Sequence, residues 1–167
     1  MRVLRGRCED HVADHERTQR LADEVADSRD PALRVWRPHR QIAFGRRDAR
    51  SDGYDRAREI ARESGYPVLE RAVGGRAVAY TGTTVAVAHA VPVEDHRTGI
   101  AARYDDASDR LQSALDRLGV DATPGEPPNA FCPGSHSLQA DGKLVGLAQR
   151  VRQRVAVVAA VVIVTDH

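Results

Sequence analysis

The chain is almost without lysine: Lys143 stands alone beside 24 arginines. An arginine bias of this kind usually reflects codon composition, and by count alone an incidental surface lysine is as good a reading as a functional one. A retained lysine still offers what arginine does not, a compact ammonium rather than a permanently charged planar fork. Cysteine is also scarce. Cys8 and Cys132 make neither a disulfide framework nor a metal cluster, and a reducing cytoplasm is the expected setting. Net charge is lacking too: at +1 it excludes nucleic acid, an anionic membrane or another polyanion as a partner drawn by total charge, and leaves only a local basic site open. The N-terminus carries Arg2, Arg5, Arg7, Glu9 and Asp10 in place of a basic start followed by an apolar stretch, so a secretion signal is not expected. The longest apolar run, Val155 to Val164, falls short of the roughly 20 residues of a membrane helix, and its valines point to a buried strand. With 167 residues the chain fits a single domain.

Apolar spacing organises the rest. Arg2 to Leu4 opens as a strand, and Glu9 to Asp27 reads as a helix with Val12, Leu21, Ala22 and Val25 on one face. Ala32 to Trp36 and Gln41 to Phe44 read as two strands around a turn at Pro38. A second helix is expected over Asp52 to Ser64, capped by Asp52 and stopped by Gly65. Val68 to Arg71, Ala77 to Tyr80 and Thr84 to Val91 are strand candidates. Tyr104 to Leu118 is the clearest helix, followed by Gly119. A Pro-rich loop, Thr123 to Pro133, leads to a hairpin turning at Asp141-Gly142, and Val155 to Val164 is the last strand. Strands outnumber helices without regular alternation, which predicts an α+β domain with a mixed, mostly antiparallel sheet and helices packed on it.

Three segments carry chemistry. Glu70 to Val78 holds Gly74-Gly75, where the backbone can approach a ligand closely, flanked by Arg71 and Arg76, which suit a carboxylate or phosphate. A Gly-Gly pair between strands is more often only a tight turn. Phe131 to Ser135 sets Cys132 beside a Pro-Gly turn, where a thiolate can carry an acyl group as a thioester; an isolated cysteine is otherwise a small buried hydrophobe, the one reading that suits Cys8. Asp141 to Arg150 sets Lys143 on a strand just after a turn, where an ammonium can stabilise charge developing on an acyl carbonyl or a leaving phosphate.

Taken together, these segments resemble the lipoate-protein ligase and octanoyltransferase family, within the biotin/lipoate ligase superfamily. Its Arg-Arg-x-x-Gly-Gly-Gly/Arg-Ala-Val loop corresponds to Arg71 to Val78, and its Gly-Lys-Lys-x-x-Gly-x-Ala-Gln strand to Gly142 to Gln149. Leu33-Arg34-Val35-Trp36 and Ala43-Phe44-Gly45-Arg46 are similar to its opening strands, so the likeness runs from about Arg34 to the C-terminus. The resemblance implies a class II synthetase-like or biotin ligase-like catalytic domain over residues 1–167. It implies that Lys143 is catalytic and that Arg71, Gly74, Gly75, Arg76, Ala77, Gly146 and Gln149 contact the acyl group or a nucleotide. Glu70 replaces the first loop arginine, and Tyr80-Thr81 the usual His-Asp. Arg76 is similar to the octanoyltransferase branch, whose nucleophilic cysteine Cys132 would supply at a spacing a few residues shorter. The family's domain usually continues with further helices, so a fragment or minimal version is expected.

Three functions follow as expectations. The first is a ligase that uses ATP and Mg²⁺ to activate lipoate or octanoate and passes it to a lipoyl-domain lysine. The second is an ATP-independent octanoyl transferase acting through Cys132, with acyl carrier protein as a donor. The third is a non-catalytic lipoyl-binding domain. Acceptors would be lipoyl domains of 2-oxoacid dehydrogenase complexes or the glycine cleavage H protein, with no nucleic acid and no membrane; lipoate, octanoate and biotin stay open as the acyl group. His11 and His15 lie one helical turn apart, but Val12 stands where a His-Glu-x-x-His zinc site needs its glutamate, and no metal is expected. They are expected on a solvated helix face, and Arg150, Arg152 and Arg154 as ordinary exposed charges, an acidic partner surface being the alternative.

Overall fold

A computed structural model describes residues 1–71, 76–130 and 134–164. In chain order its elements are β1 (Arg2–Arg5), α1 (His11–Ser28), β2 (Ala32–Trp36), β3 (Gln41–Phe44), α2 (Tyr54–Glu63), β4 (Val68–Glu70), β5 (Val78–Tyr80), β6 (Thr84–Pro92), α3 (Ile100–Asp116), β7 (Thr123–Pro124), β8 (Ser137–Gln139), β9 (Lys143–Val151) and β10 (Val155–Ile163). The strands form a seven-stranded sheet in the order β1-β2-β6-β10-β9-β8-β7 and a three-stranded sheet in the order β4-β3-β5. In the large sheet β1 and β2 run parallel and the other neighbours antiparallel; in the small sheet β3 is parallel to β4 and antiparallel to β5. The expected mixed, mostly antiparallel α+β architecture is therefore present.

The alternation of strand side chains gives the large sheet two faces, each covered by one helix. Helix α1 starts because the Asp10 carboxylate accepts hydrogen bonds from the backbone N–H groups of Val12 and Ala13, both at 2.8 Å. It packs Leu21, Ala22 and Val25 against Ala32, Ala90 and Val155 on the first face. On the second face α3 sets Leu111 and Leu115 against Leu138, Val145 and Ala160. Burial of each such leucine contributes roughly 1.5–3 kcal/mol.

The two strands expected on either side of Pro38 are present as β2 and β3, and they belong to different sheets: β2 joins β6 in the large sheet and β3 joins the small one. Residues 37–40 carry the chain between the sheets, and Arg37 is tied down by its Nε–H donating to the Gly82 carbonyl at 2.5 Å. Helix α2 is not capped by Asp52, because Gly53 in left-handed backbone (φ 81°) leads directly into Tyr54 without a side-chain cap. Helix α3 starts a turn before Tyr104; its first residue, Ile100, is 45% exposed, so apolar spacing alone does not reveal that turn. The Asp141-Gly142 turn does join β8 to β9, and Gly65 and Gly119 follow their helices in left-handed backbone, as expected.

Candidate active site

The register of the large sheet lines up small side chains on the face shared with α1. Ala159 of β10 lies opposite Ala88 of β6 on one side and Ala148 of β9 on the other, and Ala88 in turn lies opposite Arg34 of β2. The next row reads Trp36, Ala86, Val161, Gly146 and Ser137 across five strands. Methyl groups and a glycine hydrogen do not fill the space that leucines would occupy. Between this floor, α1 and the small sheet lies a cavity of about 170 Å³. Its walls come from Asp14, His15 and Thr18 of α1, Gln41 and Ala43 of β3, Leu69 of β4, Tyr80 of β5, and Arg71. Apolar cavities of ~150 Å³ take up a benzene-sized guest, so the space suits part of a hydrocarbon chain.

Lys143 reaches the cavity's side of the sheet because of an irregularity in its strand. Ser137 faces Gly146 and Leu138 faces Val145, but Gln139 faces Lys143, which leaves Leu144 as an extra residue in β9. Such a bulge keeps two successive side chains on one face, and Leu144 accordingly packs with Val145 in the α3 cluster. Lys143 is thereby turned to the opposite face, that of Gly146, Ala148 and Arg150. A Cβ built at Gly146 would meet the Lys143 Cε at 3.5 Å, so the lysine stem lies across the glycine. Ala148 at the cavity floor is one side-chain repeat further along, roughly 7 Å.

The Lys143 side chain is only 8% exposed and is held by Glu126, with Nζ at 2.8 Å from Oε1 and 3.2 Å from Oε2. The same carboxylate accepts a hydrogen bond from the backbone N–H of Gly134 at 3.0 Å and another from the Ser137 hydroxyl. Burial pushes the Glu126 carboxyl up, but hydrogen bonds from Lys143, Ser137 and Gly134 together with the lysine charge outweigh it and hold the group below its ordinary value. No sequence reading singled out Glu126; a lone acid in a Pro-rich loop carries no periodic signal.

At the α1 end of the cavity Arg34 is buried at 1% exposure and Asp14 at 4%. The guanidinium donates to the Asp14 carboxylate, to the Asp14 carbonyl at 2.6 Å and to the Thr18 hydroxyl at 2.9 Å, and lies 4.3 Å above the Trp36 ring. His11 and His15 are only partly exposed and line the cavity, which corrects the expectation of a solvated helix face. Burial, with Arg150 adding its charge, lowers the His15 pKa and favours the neutral ring. Arg150 and Arg152 also line the cavity, and Arg152 is paired with Asp23 and Gln19 of α1, so neither is a plain surface charge.

The remaining residues expected from sequence divide as follows. Arg71 lines the cavity and donates from Nη2 to the Arg76 carbonyl at 2.6 Å, while Arg76 and Ala77 are exposed. Gly146 lies under Lys143. Gln149 is on the other face, where it accepts from Arg103 Nε at 2.6 Å and donates to the Ile100 carbonyl at 3.1 Å, so it anchors α3 and stays out of the cavity. Gly74, Gly75 and Cys132 lie outside the described residues. Glu70 accepts a hydrogen bond from Tyr54 at 2.6 Å; burial and then this bond raise the Tyr54 pKa to about 12. Among the described residues no group of three or more His, Cys, Asp or Glu side chains is placed to hold a metal ion, and no helix is long and apolar enough to cross a membrane.

Comparison with known proteins bears on the family and the fold. The family model of the lipoyl protein ligase A/B catalytic domain matches residues 13–165. An octanoyl-[GcvH]:protein N-octanoyltransferase of Geobacillus kaustophilus is 29% identical over 134 residues, which is 79% of this chain and 47% of the relative. Its counterpart in an Exiguobacterium species is 31% identical over 131 residues, 77% of this chain and 46% of the relative. The chain thus spans about half the length of the curated relatives it matches. Among solved structures, a lipoate-protein ligase A bound with ATP superposes with a TM-score of 0.81 at 19% identity, covering 99% of this chain and 67% of that one. A Thermoplasma acidophilum protein described as a lipoate protein ligase candidate with bound lipoic acid superposes with a TM-score of 0.75 at 20% identity, covering 99% of this chain and 69% of that one.

Proposed function

Because the chain belongs to the lipoyl protein ligase A/B catalytic-domain family, we propose that it transfers an octanoyl or lipoyl group to the side-chain nitrogen of a protein lysine, with Lys143 at the reacting carbonyl. The observation that carries this reading is the bulge at Leu144, which turns the chain's only lysine onto the cavity side of the sheet, beside a floor of alanines. In that position the ammonium stabilises the oxyanion that forms when a nucleophile attacks the acyl carbonyl, while the cavity takes the hydrocarbon tail. Arg71 lies at the cavity wall, where it can orient the polar end of the donor.

The octanoyltransferase names of the sequence relatives favour the route without ATP. In it the Cys132 thiolate attacks the octanoyl carbonyl of a donor protein such as GcvH, and the donor's group leaves with a proton. The resulting thioester is then attacked by the acceptor lysine amine, which restores the thiol. Glu70 supports the same route, since a carboxylate where the family has an arginine disfavours triphosphate nearby. A lipoyl domain is the acceptor class in either route. Intact mass of the acceptor after incubation with octanoyl-GcvH in the absence of ATP tests this: acylated acceptor together with a hydroxylamine-labile adduct on the enzyme is expected. Acylation only from free lipoate plus ATP would establish the ligase route instead, and no acylation from either source would leave a binding domain.

The cavity makes a separate prediction. Ala159→Leu adds three carbons in the middle of the floor and is expected to raise KM for an octanoyl donor at least about tenfold, the order of one to two methylenes of lost apolar burial. A butanoyl donor should be used as before, and Tm should stay within a few degrees because the new side chain enters empty space. Unchanged octanoyl kinetics would mean that the acyl chain lies elsewhere.

A further inference from the structure

The Glu126 carboxylate meets three groups from two other stretches of chain: the Lys143 ammonium at the start of β9, and the Ser137 hydroxyl at the start of β8 together with the backbone N–H of Gly134 just before it. Neither the family motifs nor the apolar pattern explain why an acid from the loop between β7 and β8 should be half-buried there, at 20% side-chain exposure. An ammonium on four rotatable methylenes has many orientations, and a strand-borne lysine aimed at a carbonyl acts well only if its direction is fixed. A carboxylate gripping the ammonium through both oxygens supplies that direction, and its bonds to Gly134 and Ser137 fix the carboxylate in turn.

Resting on the acyl-transfer reading above, we infer that Glu126 is a positioning residue for that reaction, aiming Lys143 along the cavity face and locking the start of β8 to the same centre. It does not touch substrate; it acts through the lysine. Glu126→Gln keeps the shape and one acceptor oxygen but removes the charge that grips the ammonium. The variant should fold, with kcat for octanoyl transfer lowered roughly 10- to 100-fold, the worth of one hydrogen bond to a charged group, and KM for the donor changed less than about twofold.

Two further readouts distinguish positioning from a merely structural role. The first is the acid limb of the pH profile. The folded-state pKa of Glu126 is depressed, so the ionised pair with Lys143 persists above that pKa and is lost as pH falls through it. In the wild type this limb lies below the usual carboxylate range; in Glu126→Gln it should vanish. The second uses the lone lysine: ¹⁵N-lysine labelling gives a single side-chain ammonium signal. That cross-peak should be sharp in the wild type, where two carboxylate oxygens slow exchange with water, and broadened in Glu126→Gln. If the wild type transfers octanoate and Glu126→Gln matches its kcat, acid limb and cross-peak, the positioning role is wrong while the acyl-transfer reading stands. If the wild type transfers nothing from any donor, both fall, even with the cross-peak behaving as described.

Discussion

Lys143→Ala is expected to lower acyl transfer by about 10²–10³ in kcat, the usual cost of removing one preorganised donor to an acyl oxyanion. The loss should fall on kcat rather than on KM, because the interaction strengthens as charge develops on the carbonyl. Lys143→Arg is expected to recover little of it. The lysine stem crosses Gly146 with its Cε 3.5 Å from where a Cβ would stand, and a planar fork does not present one donor where the ammonium does. Single-turnover rates with an octanoylated donor, alongside thermal melts, separate this from a folding defect. A Lys143→Ala protein within twofold of the wild type would remove the lysine from the chemistry.

Asp14→Ala should produce the largest loss of stability. It strips the Arg34 guanidinium, at 1% exposure, of its carboxylate and leaves a charge buried in low dielectric, which typically costs about 3–5 kcal/mol. The backbone N–H of Cys8, which donates to the same carboxylate at 2.8 Å, loses its acceptor as well. Urea unfolding with linear extrapolation measures the change, and at this chain length it corresponds to a fall in Tm of roughly 6–20 °C. Adding Arg34→Met to Asp14→Ala should recover much of the loss by removing the orphaned charge, at the expense of the polar contacts at the α1 end of the cavity. If the double variant is no more stable than Asp14→Ala, uncompensated charge is not what the single substitution exposes.

The sequence made Lys143 visible through its isolation and its Asp-Gly-Lys-x-x-Gly-x-Ala-Gln surroundings, but not the face of the sheet it occupies. Plain alternation from Val145 and Leu147 puts residue 143 against α3; only the extra residue at Leu144 reverses that, and a bulge is set by pairing with β8 rather than by local spacing. The cavity was hidden for a similar reason. Ala88, Ala148 and Ala159 are each unremarkable strand residues, and they become a floor only when β6 pairs in register with the β9–β10 hairpin, which lies far from it in the chain. Asp14 and Arg34 are 20 positions apart on a helix and a strand, so their burial follows from packing. Gln149 shows the converse: it sits in the right motif but on the α3 side, because beyond the bulge β9 alternates regularly and residues an odd number of positions C-terminal to Gly146 point away from the cavity. Helices and strands of strong period were legible, and two of the bounds that moved, at Asp52 and Tyr104, are ones where a left-handed glycine rather than apolar spacing starts the helix.

If Lys143 works beside the alanine-floored cavity to transfer an acyl group, acylation of an acceptor depends on it. The most direct test is the intact mass of a lipoyl-domain acceptor incubated with octanoyl-GcvH and either the wild-type protein or Lys143→Ala. An octanoylated acceptor is expected with the wild type and almost none with the variant; equal acylation by the two proteins, or none by the wild type with any donor with or without ATP, would rule this role out.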